Sequence, residues 1–212
     1  MLGCVAIAPA AAQPRMPDAR VITGQSTAGQ DQARPGMRVY GATRAPFGYV
    51  QFCSEHAADC RATSGRINKV ALDKAHWDEL LQVNQSVNET VKPVEDIALY
   101  KTVEYWTYPD GRGDCEDYVL LKRKMLVDRG WPENALLITV VRDEYNLGHA
   151  VLSVVTDAGD FILDNKRSAV LRWQETPYIF RKRQSQTNPT EWVALSPNEE
   201  LRGSMMEQVS TQ

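Results

Sequence analysis

The stretch G-R-G-D-C-E-D-Y, Gly111 to Tyr118, sets a cysteine, Cys115, among three carboxylates, Asp114, Glu116 and Asp117. Thiolate is the reactive form of cysteine, and nearby negative charge disfavours it. Either this thiol is inert or something supplies positive charge. The residues that follow favour the second reading. Tyr118, Leu121 and Met125 recur at helical spacing, joined by Leu120 and Leu126, and Gly130 then Pro132 end the run in the order expected of a helix stop. Cys115 therefore falls in the first turn of a helix. There the free backbone N–H groups and the helix dipole lower a thiol pKa.

Past this helix the period changes. A-L-L-I-T-V-V-R (Ala135 to Arg142), H-A-V-L-S-V-V (His149 to Val155) and F-I-L-D (Phe161 to Asp164) read as strands, with D-A-G-D (Asp157 to Asp160) as a turn. E-W-V-A-L, Glu191 to Leu195, adds a further strand candidate. Upstream, Val70, Trp77, Leu80, Val83, Val87 and Val91 form one apolar stripe, which predicts a helix from Ile67 to about Val91, with Pro93 at its end. Helices first and an antiparallel sheet after give an α+β class.

Length, composition and charge narrow the field. The chain has 212 residues, 43% of them hydrophobic, enough for one domain with tails. A formal net charge of −3 gives no basic surplus for nucleic acid. No apolar run reaches the ~18 residues of a membrane span. M-L-G-C-V-A-I-A-P-A-A-A-Q, Met1 to Gln13, is similar to the apolar core and A-x-A site of a secretory signal. It lacks the basic n-region, so residues 1–12 are read as a shortened signal peptide that would carry Cys4 away, and the mature protein is expected to be periplasmic. Residues 13–45 read as a mobile lead-in, 46–200 as the folded domain and 201–212 as a mobile tail. In an oxidising compartment Cys53 and Cys60, seven apart, can close a small disulfide loop. Cys53, His56 and Cys60 are the alternative metal set, but a fourth ligand and the C-x2-C spacing are missing.

Nucleophilic catalysis needs a base beside the thiol and a group that orients the base. Of three histidines, His149 follows the loop D-E-Y-N-L-G and opens a strand. Asp164 ends the partner strand of the same hairpin, so antiparallel pairing puts the two near one end. Cys115, His149 and Asp164 are therefore the candidate catalytic residues. The Cys115 N–H is a natural oxyanion donor, with the Trp106 indole as a second. The three acids are expected to point away from the Cys115 side chain. They complement the helix dipole, and they also form a compact set of hard oxygen ligands suited to Ca²⁺, although the EF-hand pattern is absent.

G-D-C-E-D-Y-V-L-L-K-R, L-L-I-T-V-V-R-D, G-H-A-V-L and L-D-N, in that order, resemble the bacterial transglutaminase-like cysteine proteinases. V-N-Q-S-V-N (Val83 to Asn88), W-T-Y-P before the cysteine and R-Q-S near Arg183 extend the likeness across roughly Phe47 to Leu195. The resemblance implies a papain-like, transglutaminase-like fold with a Cys-His-Asp triad, which carries onto Cys115, His149 and Asp164. For the LapG-like periplasmic branch it further implies calcium dependence, with ligands carried onto Asp114, Glu116 and Asp117. It also implies a protein substrate, in that branch a large surface adhesin, and control by an inner-membrane receptor that senses cyclic-di-GMP. A cysteine endopeptidase is the function expected. A transglutaminase-type acyl transferase sharing the thioester intermediate, and a non-catalytic calcium-dependent binding module, are the rival classes.

Overall fold

A computed structural model describes residues 36–61, 67, 69–197 and 199. The expected signal segment, the lead-in up to residue 35 and the tail 201–212 lie outside the described residues. In chain order the elements are β1 (Gly41–Thr43), α1 (Phe47–Glu55), α2 (Lys74–Thr90), β2 (Lys92–Pro93), α3 (Asp96–Leu99), β3 (Arg112–Gly113), α4 (Cys115–Asp128), β4 (Leu136–Arg142), β5 (Gly148–Thr156), β6 (Gly159–Leu163), β7 (Leu171–Arg172), β8 (Ile179–Gln184) and β9 (Trp192–Ala194). Seven strands form one antiparallel sheet in the order β1-β9-β8-β4-β5-β6-β7, and β2 and β3 form a separate parallel pair. The α+β expectation holds.

The sheet is buried on both faces, which is why β4 and β5 read as nearly unbroken apolar runs. Side chains alternate along a strand. On β5, Ala150, Leu152 and Val154 join the core shared with the helices, while Val151 turns to a smaller cluster with Val141, Ile162 and Phe180. Helix α4 lies on β5 and is flanked by α2. From α2 the buried stripe is Trp77, Leu80, Val83, Asn84 and Val87, and Trp77 meets Phe161 edge-on with ring centroids 5.3 Å apart.

Two boundaries differ from the sequence reading. Helix α2 begins at Lys74 rather than Ile67, because Asp73 caps it: its side chain accepts the His76 N–H at 2.8 Å. Val70, counted in the stripe, instead bridges to Thr156, and Leu72 donates its N–H to Asp157 Oδ1. The ordered chain also starts before Pro46. Gly41–Thr43 pairs with Trp192–Ala194, and Met37 is buried and gives its N–H to Asp160 Oδ2. So short a strand owes its form to the edge it joins and not to its own composition. Among the described residues, no helix is long and apolar enough to cross a membrane.

Cys53 and Cys60 form a disulfide across seven residues, tying α1 to the following turn. His56, between them, stacks on Phe52 and meets Tyr108 edge-on, so it serves packing here and not a metal. A loop this short yields about 2 kcal/mol from restriction of the unfolded chain. Replacing both cysteines by serine is expected to lower unfolding free energy by about that amount in denaturant melts. Mass spectrometry of non-reduced peptides should show the cross-link, and two separate thiols there would remove it.

Candidate active site

Cys115 is the first residue of α4, with Asp114 at the N-cap. The helix enters from the β2–β3 pair, in which Val94 donates to Gly113 O and Lys92 to Gly111 O, both at 2.9 Å. Cys115 Sγ accepts the Ala150 N–H at 3.4 Å, which seats the sulfur against the residue that follows His149. The fold thus brings the helix start and the start of β5 together, across 35 residues of sequence.

His149 and Asp164 meet as the hairpin count predicts. Leu152 pairs with Leu163, leaving both residues at one end of β5 and β6. His149 Nε2 lies 2.8 Å from Asp164 Oδ1, and both side chains are buried. Asp164 also accepts the Tyr178 hydroxyl on Oδ2 at 2.5 Å and the Lys166 N–H on Oδ1 at 3.0 Å. Burial alone would raise its pKa, but the imidazole and these donors outweigh burial and bring it to about 2. Two ion pairs then lace the loop before His149 to the chain after Asp164: Lys166 with Asp143 at 2.7 Å, and Arg167 with Glu144 at 3.0 Å. Tyr178, whose ring meets His149 edge-on at 5.5 Å, was invisible in the sequence because nothing about its spacing refers to the hairpin.

The acids depart from expectation. Glu116 Oε2 lies 3.1 Å from Cys115 Sγ, so this carboxylate faces the sulfur and does not point away. Asp114 and Glu116 converge with a residue the sequence did not single out, Asp96; one carboxylate oxygen from each lies within 4.8 Å of the others. Asp117 is not in that group. Its Oδ1 accepts the Thr107 N–H at 2.9 Å, and it rests against Gly113, where a Cβ would come within 2.3 Å of Oδ2. Asp96 starts α3, and the β2–β3 pairing carries it to the head of α4, where its N–H reaches Asp114 Oδ2 at 3.4 Å. A separation of 18 positions hides that neighbourhood from any spacing rule. Trp106 donates its indole N–H to Glu104 Oε2 at 3.2 Å, so that proton is engaged away from the expected oxyanion role.

Burial sets the electrostatics of this cluster. It raises Asp96, lifts Asp114 to about 6 and Asp117 to about 8, and pushes Glu116 well above the usual carboxylate range, with the Asp114 charge adding to the shift. Asp96 Oδ1, Asp114 Oδ1, Glu116 Oε1 and Asp117 Oδ2 are buried with no hydrogen-bond partner among the described residues. Buried carboxylate oxygens without donors are costly. Calcium takes oxygen ligands at about 2.4 Å, so two ligands on opposite sides of it stand about 4.8 Å apart. Asp96, Asp114 and Glu116 fit that span, and their bare oxygens supply the hard donors such a cation needs.

The family model for bacterial transglutaminase-like cysteine proteinases matches residues 39–200. Among solved structures the chain is similar to LapG from Legionella pneumophila. The EGTA-treated form is 28% identical, with a TM-score of 0.45, over 50% of this chain and 62% of that one. The calcium-bound form is 24% identical, with a TM-score of 0.49, over 61% and 80%. A third LapG structure is 26% identical, with a TM-score of 0.48, over 62% and 77%. The chain thus spans less than two thirds of the first of these. No curated protein matches.

A carboxyl whose pKa is higher folded than unfolded stabilises the fold while protonated. That contribution is complete below about 4, the unfolded value. It is lost as pH rises through the folded values, about 6 for Asp114 and about 8 for Asp117. In chelator, the melting temperature is therefore expected to fall between pH 5 and pH 8, and calcium should oppose the fall. A chelated protein whose melting temperature stays flat across that range would contradict the clustering of buried acids.

Proposed function

We propose, from the premise that the chain belongs to the bacterial transglutaminase-like cysteine proteinases, that it is a calcium-dependent cysteine endopeptidase acting through Cys115, His149 and Asp164. The observation that carries this reading is the juxtaposition at the start of α4: a sulfur at a helix N-terminus, seated against the strand that bears an imidazole already paired with a buried carboxylate.

In this mechanism His149 takes the Cys115 thiol proton on Nδ1, since Nε2 is committed to Asp164. Asp164 fixes the tautomer and stabilises the imidazolium. The thiolate attacks the peptide carbonyl carbon, and the N–H groups at the head of α4 face the developing oxyanion. Collapse of that intermediate breaks the C–N bond, and the imidazolium gives its proton to the leaving amine. Water, deprotonated by His149, then hydrolyses the thioester. Cys115 and His149 are fully buried in this structure. Asp96, Asp114 and Glu116 would hold the calcium ion, whose positive charge would offset the repulsion that the Glu116 contact imposes on the thiolate.

The place of action we propose is the periplasm, which the export-like N-terminal sequence suggests and the Cys53–Cys60 disulfide suits. The substrate class is an exported protein, with a surface adhesin as the first candidate and a cyclic-di-GMP receptor as the candidate regulator. Both follow from the sequence resemblance.

None of the described cysteines is a free thiol in this structure, so assays start from protein treated with a reductant. Alkylation of Cys115 is expected to be fast at neutral pH with calcium, and slower by at least about tenfold in His149→Ala, where the thiol returns towards an ordinary pKa near 8.5. Chelation should slow the wild type. Cleavage of an unfolded protein substrate should vanish in Cys115→Ala while the melting temperature holds. An ordinary thiol rate in every condition would overturn the catalytic assignment, and amine capture of the acyl group in place of hydrolysis would reassign the acceptor step.

A further inference from the structure

Lys122 is fully buried. A lysine is almost never buried without an ionic partner, yet the group its Nζ bonds is a neutral amide, Asn84 Oδ1, at 2.8 Å. Lys122 follows Cys115 by seven residues on α4, so it lies on the same helix face about 10 Å deeper. That face looks onto the His149–Asp164 pair.

Asn84 links the lysine to the pair. Its Oδ1 also accepts the Asp164 N–H at 3.1 Å, and its Nδ2 donates to Arg167 O at 3.0 Å and Ser168 O at 3.1 Å. All four hydrogen-bonding positions of the amide are filled, and three of them hold the chain from Asp164 to Ser168. One turn on, Asn88 Nδ2 donates to Asp164 O at 2.9 Å and Arg167 O at 3.2 Å. The two asparagines are those of V-N-Q-S-V-N, a motif that packing alone does not require. Asp164 is the charge acting on Lys122 from the end of β6; α2 offers only Asn84, and its own helix the Tyr118 ring at 5.9 Å. On its other sides Asp164 faces His149 and Tyr178.

We propose that Lys122 is a positioning residue for the triad: through Asn84 it fixes the Asp164 main chain, and with it the carboxylate that holds His149. The proposal rests on the catalytic reading above. Without the ammonium, the Asn84 Oδ1 that receives the Asp164 N–H loses its second donor, and the chain that sets Asp164 is held less firmly.

The test is cleavage of an unfolded protein substrate by reduced, calcium-loaded full-length protein, read as kcat and KM for the wild type, Lys122→Met, Asn84→Ala and the double variant, with Lys122→Gln in place of methionine should that variant not fold. Lys122→Met is expected to lower kcat by on the order of tenfold with KM unchanged, and to add little once Asn84 is replaced. Losses that add fully in the double variant, or a Lys122→Met kcat equal to that of the wild type, overturn the proposal. A wild type whose cleavage is unchanged by His149→Ala overturns the triad and this inference together. A wild type that depends on His149 beside additive variants overturns only the inference.

Discussion

Burial of carboxylates around one sulfur is the constraint on which the rest of this structure depends. Four acids, Asp96, Asp114, Glu116 and Asp117, are each almost wholly buried around the head of α4, and each leaves an oxygen without a donor among the described residues. Water cannot solvate them there, and ionised together they would repel one another and a neighbouring thiolate. Two physical states relieve the conflict. The acids can hold protons, which their raised pKa values favour, or a cation can replace the missing donors. Only the second leaves negative charge tolerable beside Cys115 at neutral pH. The composition of D-C-E-D, puzzling in sequence, is then coherent: the residues that would inhibit the thiolate are those that recruit its counter-charge.

The scaffold answers a different demand, holding an imidazole rigid against a helix end. A sheet buried on both faces limits the freedom of β5, and the hairpin to β6, in which Leu152 pairs with Leu163, brings His149 and Asp164 to one end. Ion pairs Lys166–Asp143, nearly buried, and Arg167–Glu144, partly exposed and so worth little energy, restrain two loops at the same end. From inside, Asn84 and Asn88 hold the Asp164 backbone. The carboxylate is thus located by hydrogen bonds to its own main chain as well as by its contact with the imidazole.

What could be read in the sequence follows how local each signal is. Helix α4 and strands β4, β5 and β6 were legible because period, turn residues and stop signals lie within a few residues of one another. His149 and Asp164 were legible because a hairpin converts counting into distance. The Cys53–Cys60 link was legible from its short spacing and the export-like N-terminal sequence. Asp96 was not, since only the two-residue β2–β3 pairing brings it to Asp114. Strand β8 carries no such signal, because Arg181, Lys182 and Arg183 break the apolar pattern; Arg183 is buried all the same, paired with Asp160 at 3.0 Å. Glu116 departs from the outward direction expected of a first-turn side chain, because β5 and α3 pack about the helix head and its carboxylate takes the space beside the sulfur.

These features place the site between two opposed fields. On one side stands the acid cluster, which disfavours the thiolate unless a cation is bound. On the other stands an imidazole whose charge the Asp164 carboxylate supports. Asp114 and Glu116 flank Cys115 in the chain, so the side chains proposed to hold calcium are bonded through one peptide unit each to the residue proposed to attack. Metal affinity and nucleophile geometry therefore cannot vary independently. Any change that moves the head of α4 alters both, and a change in the charge of the acid cluster is felt at the sulfur without any movement at all. On the proposed reading, that coupling makes calcium a condition of the chemistry as well as of the fold, because the same few atoms set the position of the sulfur and the potential around it.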